Sequence, residues 1–541
     1  NGLKPLSLSF SMVTTATMLD FFPLAKPREK QIKAIDFIQR AIERGFKHIV
    51  VAAPTGTGKT AIGATVCLWA ASQDAAEFQG DPGGYYLVTQ KLLQDQLEKD
   101  FVNHPQFGCA SLKSAASYEC DGPKFKNCEM GRVKKCACTR YAWAKQQFND
   151  SKIGVTNYAY FITEKMNVGQ LPNRRVMVLD ECHNIEKLLV RFFDVTVGQE
   201  QLDDVEVLEE IPHFKDIHQF INWCASVYKP RLEERVNNVT SLVVNSEKME
   251  YYEKAVKLTM QFQKLVRALE SMTADPKKWV FWSQDDEKVR GKQYIARPLY
   301  AHEFTRTLFD GSDVVLHMSA FPGDKKTYCE SLGLNPDEVA WASLASTFPT
   351  ENRPIHVLAI GSMSMRNIDI TLPSVIKYTL KIMDKFQDKK GLIHCNSYKV
   401  GQALQETLMA SKHSHRVIFP KNADERERAF NEHATSKIPT VIISPSMTEG
   451  FDFAGKLAEW QIIAKVPFPN MGDKHTCARK DVDDNWYKME TIKTIVQACG
   501  RIVRSEDDVG VTYIMDSDMN RLLDNNSHFF PKWWMSAVKR H

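Results

Sequence analysis

HIVVAAPTGTGKT, residues 48–60, is the stretch whose reading decides the fold. Its first part, Ile49 to Ala53, is short and apolar at every position, as a strand buried on both faces of a parallel sheet must be. It runs straight into Pro54, Thr55, Gly56, Thr57, Gly58, Lys59 and Thr60, and a helix-forming stretch, AIGATVCLWAA, follows. Strand, glycine-bearing loop and helix together are the context of a phosphate-binding loop. Gly56 and Gly58 let the backbone curl so that its N–H groups face phosphates. Lys59 reaches the β and γ phosphates, and the Thr60 hydroxyl ligates Mg2+. Ala53 stands where the strictest form of the pattern has glycine.

Working outward, further short apolar runs are separated by helix-length segments: YYLVT (85–89), VMVL (176–179) and VVLHM (314–318). A second set follows: HVLAI (356–360), GLIHC (391–395), TVIIS (440–444), QIIAKV (461–466) and VTYIM (511–515). Two parallel α/β domains are expected. Between Arg191 and Ala274 the pattern changes, with Leu258, Phe262, Leu265 and Leu269 at three- and four-residue spacing, so this segment reads as a helical insertion whose apolar stripe is core.

Two more elements bear on the phosphate loop. The strand VMVL delivers Asp180 and Glu181, within Asp180-Glu-Cys-His183, to its carboxyl end, where ligand chemistry sits in such sheets. Asp180 would hold Mg2+ and Glu181 would polarise the water that attacks the γ phosphate. In the second α/β domain Gln497 is followed by Arg501 and Arg504, which share one helix face. Two guanidiniums aimed across a cleft neutralise a transferring phosphoryl group and make hydrolysis depend on domain closure.

The 541 residues are 43% hydrophobic and 25% charged, which excludes collagen-like and largely disordered classes, and the net charge of +4 leaves any grip on nucleic acid to local patches. No apolar run is long enough to span a bilayer. Residues 1–22 read as a tail without the continuous apolar core of a signal peptide. Of the 12 cysteines, Cys109, Cys120, Cys128, Cys136 and Cys138 crowd together, which suggests metal, and the rest are scattered singly as reduced thiols are. Lys113, Lys124, Lys126, Arg132, Lys134, Lys135, Arg140 and Lys145 surround them, interleaved with Tyr118, Phe125, Tyr141 and Trp143. Cations for phosphates and rings for bases suit an entering single strand.

The motifs in order resemble a superfamily 2 helicase, and within it the XPD/DinG family of DNA helicases. Arg28-Glu-Lys-Gln31 resembles the family's adenine-side motif, LVTQKLLQDQ (87–96) its motif Ia, and DECHNI (180–185) its DEAHNI. MSAFPG (318–323) stands at motif III with Phe321 in place of threonine. SPSMTEGFDF (444–453) resembles motif V, where Glu449, Gly450 and Asp452 match, and QACGRIVRSEDDVG (497–510) is similar to motif VI, with VPFP (466–469) a family loop upstream. The resemblance implies ATP and Mg2+ as cofactors and a 4Fe-4S cluster on Cys120, Cys128, Cys136 and Cys138. The intervals between these four depart from the usual pattern, so Cys109 stays open as a substitute ligand and zinc as the alternative metal.

The resemblance further implies two RecA-like P-loop NTPase domains with an inserted Fe-S cluster domain and a helical arch domain. The expected boundaries are helicase domain 1 at 23–107, 151–190 and 286–325, the cluster domain at 108–150, the arch at 191–285 and helicase domain 2 at 326–541. The implied activity is ATP-dependent 5′ to 3′ translocation on single-stranded DNA with unwinding of forked duplexes, by a monomer with no membrane partner. The compartment expected is intracellular: cytoplasmic if bacterial or viral, nuclear if eukaryotic. An ATP-switched clamp that separates no strands, and a helicase for RNA or R-loops, are the alternatives. With about 27 residues before Arg28, no nuclease-like domain is expected ahead of the motor.

Overall fold

A computed structural model describes residues 16–541 except 75–77, 90–93, 96, 103–106, 122–126, 130–135, 166–170, 207–209, 246–248, 286–290, 421, 423–424, 445–452 and 454. Two seven-stranded sheets dominate. Across the first, the order is Val339–Ser343, His48–Ala52, Ser312–Ser319, Arg174–Asp180, Asp81–Val88, Ile153–Asn157 and Cys109–Ser111, every neighbour parallel. The second runs Val417–Ile418, Val441–Ser444, Gly391–His394, Trp460–Ile463, Val511–Asp516, Ile355–Gly361 and Val538–Arg540, also all parallel. All nine apolar runs singled out in the sequence lie on these strands.

Alternation along the first sheet sorts its side chains onto two cores. Ile49, Val51, Tyr86, Val88, Val176, Val178 and Met318 face the helix that follows the phosphate loop, Lys59–Ser72. Val50, Tyr85, Leu87, Met177 and Leu179 face the other way, onto a core shared with both insertions.

The domain boundaries differ from the expected ones at three places. Val339–Ser343 pairs with His48–Ala52, so the first lobe extends past residue 326 into that strand. Cys109–Ser111 and Ile153–Asn157 pair as edge strands of the first sheet, so the cysteine-bearing insertion begins after Ser111. The segment after Arg191 is not purely helical. Its long helices Lys229–Asn245 and Met249–Ala274 stand on an antiparallel sheet of Val195–Val197, Trp279–Asp285 and Lys292–Pro298, which carries the insertion to Pro298. Leu258, Leu265 and Leu269 are buried there, as a stripe of that spacing requires.

Candidate active site

The phosphate loop is shaped by two residues in the left-handed region, Gly56 (φ 81°) and Gly58 (φ 80°), which glycine adopts without the clash a Cβ would bring. Thr57 closes the turn by donating its backbone N–H and its hydroxyl to the Pro54 carbonyl (3.2 and 2.6 Å). Behind the loop, Arg28 Nη1 donates to the Gly56 carbonyl at 2.8 Å, and Gln31 Nε2 to that of Gly58 at 3.4 Å, while Gln31 Oε1 accepts from the Arg28 N–H. Gln31 is 4% exposed and braces the loop from behind; of the two, Arg28 lines the cleft.

That cleft measures about 820 Å³ and is lined by Arg28, Thr55, Gly56, Gly58, Lys59, Thr60, Asp180 and Glu181 from the first lobe and by Arg504, Ser505, Glu506 and Asp507 from the second. Phe348, on the connection between the lobes, completes its wall. Lys59 Nζ stands 3.7 Å from Glu181 Oε1. Asp180 is held by the Glu181 N–H on Oδ1 (3.0 Å), by Tyr86 OH on Oδ2 (3.3 Å) and by Tyr158 OH on its carbonyl (2.9 Å). Glu181 itself has φ 50°, a left-handed conformation that costs a non-glycine residue about 1 kcal/mol and clusters at functional positions.

Electrostatics separate the two acids. Burial, reinforced by the charge on Glu181, raises the Asp180 carboxyl. Burial also opposes ionisation of Glu181, but Lys59, His183 and Arg501 outweigh it and hold that group well below the usual carboxylate range. The Arg501 charge therefore acts on Glu181 from the second lobe. The helix Asp484–Cys499 carries Gln497, whose Nε2 is buried and without a hydrogen bond among the described residues, but it ends before Arg501, so Arg501 and Arg504 leave from the loop beyond it and do not share the expected helix face. Thr60 and Asp180 offer the hard oxygen donors that suit Mg2+. Glu449, Gly450 and Asp452 lie outside the described residues.

Sequence reasoning assigned no role to His183 or Ser319, which the structure joins to the same acid. Ser319 Oγ donates to Glu181 Oε2 at 3.4 Å, His183 Nδ1 lies 2.8 Å from Ser319 Oγ, and His183 is 3.3 Å from Glu181 Oε2. The signal available was a polar residue ending an otherwise apolar strand. Phe321, where the family pattern has threonine, is buried in the core of the second lobe with Val466 and Met489, so motif III is fastened across the seam by packing.

Three of the four nominated cysteines converge, and the fourth approaches one of them. The sulfurs of Cys120, Cys128 and Cys138 all lie within 4.8 Å of one another, with Cys128 to Cys138 at 3.6 Å, and Cys136 is 3.7 Å from Cys120. A backbone N–H from Asp121 holds the Cys138 thiol below its ordinary value, favouring the thiolate a metal needs. Cys109 does not join them: it sits on an edge strand of the first sheet, and its sulfur is not in the group formed by Cys120, Cys128 and Cys138.

Around these cysteines the described cations are engaged. Lys113 pairs with Asp95 (2.6 Å) and Glu98 (3.1 Å), Arg140 with Asp121 (2.5 Å) and Lys145 with Glu164 (2.7 Å). Tyr141 is buried with its hydroxyl on that of Tyr160, and Tyr118 packs edge-on against it, because the insertion shares the first lobe's core and has room there for rings. Trp143 is 64% exposed. The strand-entry reading therefore keeps Trp143 and loses the other described side chains; Lys124, Phe125, Lys126, Arg132, Lys134 and Lys135 lie outside the described residues.

Residues 379–537 match the helicase C-terminal domain family, and residues 24–209 match the family described as type III restriction enzyme, res subunit. The chain is similar to the XPD/DinG-type superfamily 2 helicases. A regulator of telomere elongation helicase 1 homolog of Caenorhabditis elegans is 29% identical over 17% of this chain and 11% of its own length. The 3′-5′ exonuclease DinG of Staphylococcus saprophyticus is 20% identical over 65% of this chain and 39% of its length. The matched stretches thus span less than half of these relatives. A solved XPD helicase superposes with a TM-score of 0.63 at 12% identity, covering 96% of this chain and all of that one. That likeness carries the two-lobed XPD/DinG fold. Among the described residues no helix is long and apolar enough to cross a membrane.

Proposed function

We propose that this chain is an ATP-dependent DNA helicase that moves 5′ to 3′ along single-stranded DNA and unwinds forked duplexes. The observation that carries the reading is the meeting of two lobes at one cleft: Lys59, Asp180 and Glu181 come from one side, Arg504 from the other, and the Arg501 charge reaches Glu181. Glu181, held ionised, accepts a proton from the attacking water, and His183 and Ser319 fix its orientation. Lys59 and the loop N–H groups hold the phosphates. Arg501 and Arg504 balance the charge that builds on the transferring phosphoryl group, so hydrolysis is coupled to closure of the lobes. Bound at Thr60 and Asp180, Mg2+ supplies charge neutralisation between the phosphates.

On the second lobe Phe468 and Tyr487 stack at 6.0 Å beside a groove of about 450 Å³ whose wall includes Lys480, Lys488 and Arg521. Stacked rings flanked by cations suit the bases and phosphates of a single strand. Lys480 and Lys488 now pair with Asp484 (3.2 and 2.6 Å), contacts that phosphates would replace. The test is displacement of one strand from forked duplexes carrying a 5′ or a 3′ tail, with Lys59→Ala as control and RNA and R-loop substrates alongside. ATP hydrolysis by the wild type without any displacement would sink this reading in favour of an ATP-switched clamp.

The donor set of Cys120, Cys128, Cys136 and Cys138 supplies the four thiolates of a 4Fe-4S cluster, which would tie the insertion together as one rigid unit. A second reading has a specific observation behind it. The Cys128–Cys138 and Cys120–Cys136 spacings of 3.6 and 3.7 Å each fit one tetrahedral edge of about 3.8 Å set by Zn–S bonds near 2.3 Å. Metal analysis of protein prepared without oxygen decides: iron with a brown colour supports the cluster, and stoichiometric zinc without colour overturns it.

A further inference from the structure

The strand Asp81–Val88 sends Tyr86 toward the helix that follows the phosphate loop, where its ring is 1% exposed. Space for that ring is built into the helix. A Cβ on Gly63 would stand 2.6 Å from Tyr86 Cε2 and 2.8 Å from Val178 Cγ1 and Met318 Cε, so only glycine leaves the ring its place. Glycine inside a helix costs about 1 kcal/mol relative to alanine, and the ring's position is what the helix keeps in exchange. A buried phenol needs a partner for its hydroxyl, and Tyr86 finds it in an acid of the nucleotide site: its O–H donates to Asp180 Oδ2 at 3.3 Å.

We infer that Tyr86 is a positioning residue for the divalent cation that accompanies the nucleotide: its hydroxyl donates to Asp180 Oδ2 and so fixes in one orientation the carboxylate that would hold the cation. Asp180 Oδ1 is already engaged by the Glu181 N–H at 3.0 Å, so the bond to Oδ2 completes the fixing of the carboxylate plane. Groups that orient metal ligands in this way typically change metal affinity by about 10- to 100-fold when removed. This inference rests on the ATP-site reading and deepens it.

The test uses the full chain and Mn2+ as the probe. Mn2+ binding is measured by electron paramagnetic resonance in the presence of ADP, and ADP binding is measured separately in chelator. Tyr86→Phe keeps the ring and removes the hydroxyl; it is expected to weaken Mn2+ binding about 10-fold while ADP binding in chelator stays as in the wild type. Gly63→Ala, which displaces the ring, is expected to weaken Mn2+ binding too. Equal Mn2+ affinity of Tyr86→Phe and wild type overturns the inference, as does a loss seen with Gly63→Ala alone. Failure of the wild type to bind Mn2+ with ADP would instead strike the ATP-site reading itself.

Discussion

Gly56 is the residue at which the two lobes come nearest to collision. A Cβ there would meet the Phe348 ring and stand 2.7 Å from the Arg504 carbonyl oxygen, at a φ of 81° that already disfavours any other side chain. The ring could move, but the carbonyl belongs to backbone. Gly56→Ala is therefore expected to cost about 1–2 kcal/mol in backbone strain and to push the motif VI segment away from the phosphate loop, so that ATP hydrolysis falls much further than thermal stability. Steady-state hydrolysis beside a melting curve checks this. Arg501 allows a second separation, because its charge reaches Glu181 from the other lobe. Arg501→Ala should lower turnover about a thousandfold, the effect of removing an arginine finger, with nucleotide affinity retained in a binding titration. The sequence made Lys59, Asp180, Glu181, Arg501 and Arg504 legible because each sits in a motif whose spacing follows from phosphate chemistry. It did not show that Gln31 spends its amide on the Arg28 N–H and the Gly58 carbonyl, since residues 27 positions apart reveal a contact only once folded.

At the scale of elements, the strands that were easy to read are those buried on both faces, such as Arg174–Asp180 and Ser312–Ser319. Edge strands escaped. Cys109–Ser111 is three residues long and half-buried throughout, with too little apolar content to stand out from the cysteine-rich stretch that follows. Trp279–Asp285 and Lys292–Pro298 show no regular inside–outside alternation along their length, and they follow a 26-residue helix whose periodicity dominates the reading. The cysteine insertion illustrates the same point: among its described residues there is no separate core, and it leans on the first lobe through Leu112, Ala115, Cys128 and Tyr141. Cys128 is 3% exposed, so its thiol serves both that core and the thiolate group. Cys128→Ser is expected to lose the metal and strand displacement while keeping most of the ATP hydrolysis seen without DNA, as metal content, a displacement assay and a hydrolysis assay on one preparation would show. Equal loss of both activities would mean that the insertion merely supports the fold.

Across the whole molecule, the helix that carries the DECH residues onward, Ile185–Phe192, lies against Asp484–Cys499, the helix that ends in motif VI. The contacts between them are polar, with Arg479, Trp486 and Glu490 buried and Lys187 half-exposed. Glu186 accepts from Trp486 Nε1 (3.0 Å) and from Arg479 (3.3 Å), whose guanidinium lies between the Tyr300 and Trp486 rings. Glu490 pairs with Lys187 of the first lobe (2.7 Å) and with Lys493 of its own helix. Nucleotide chemistry at one end of each helix thus bears on a seam that any opening of the lobes must break.

That seam has a pH signature. Burial opposes ionisation of Glu490, but Lys493 and Lys187 outweigh it and lower the group from 4.5 to about 2. A carboxyl depressed in the folded state contributes stability that is fully present above its unfolded value and is lost as pH falls through the folded one. Removing the charge leaves two lysines facing a neutral group, and because Lys187 is half-exposed and screened by water the cost is less than the ~3–5 kcal/mol of a fully buried pair. Glu490→Gln should therefore melt earlier than the wild type at neutral pH, and the gap should narrow as the pH is lowered from 4.5 toward 2. A gap that is constant with pH would show that the side chain acts by packing alone. Because Lys187 belongs to the first lobe, the same variant should also populate the open arrangement, read as a larger distance between probes on the two lobes without nucleotide. ATP binding, which adds phosphate contacts to Lys59 on one side and Arg504 on the other, should draw that distance back toward the wild-type value.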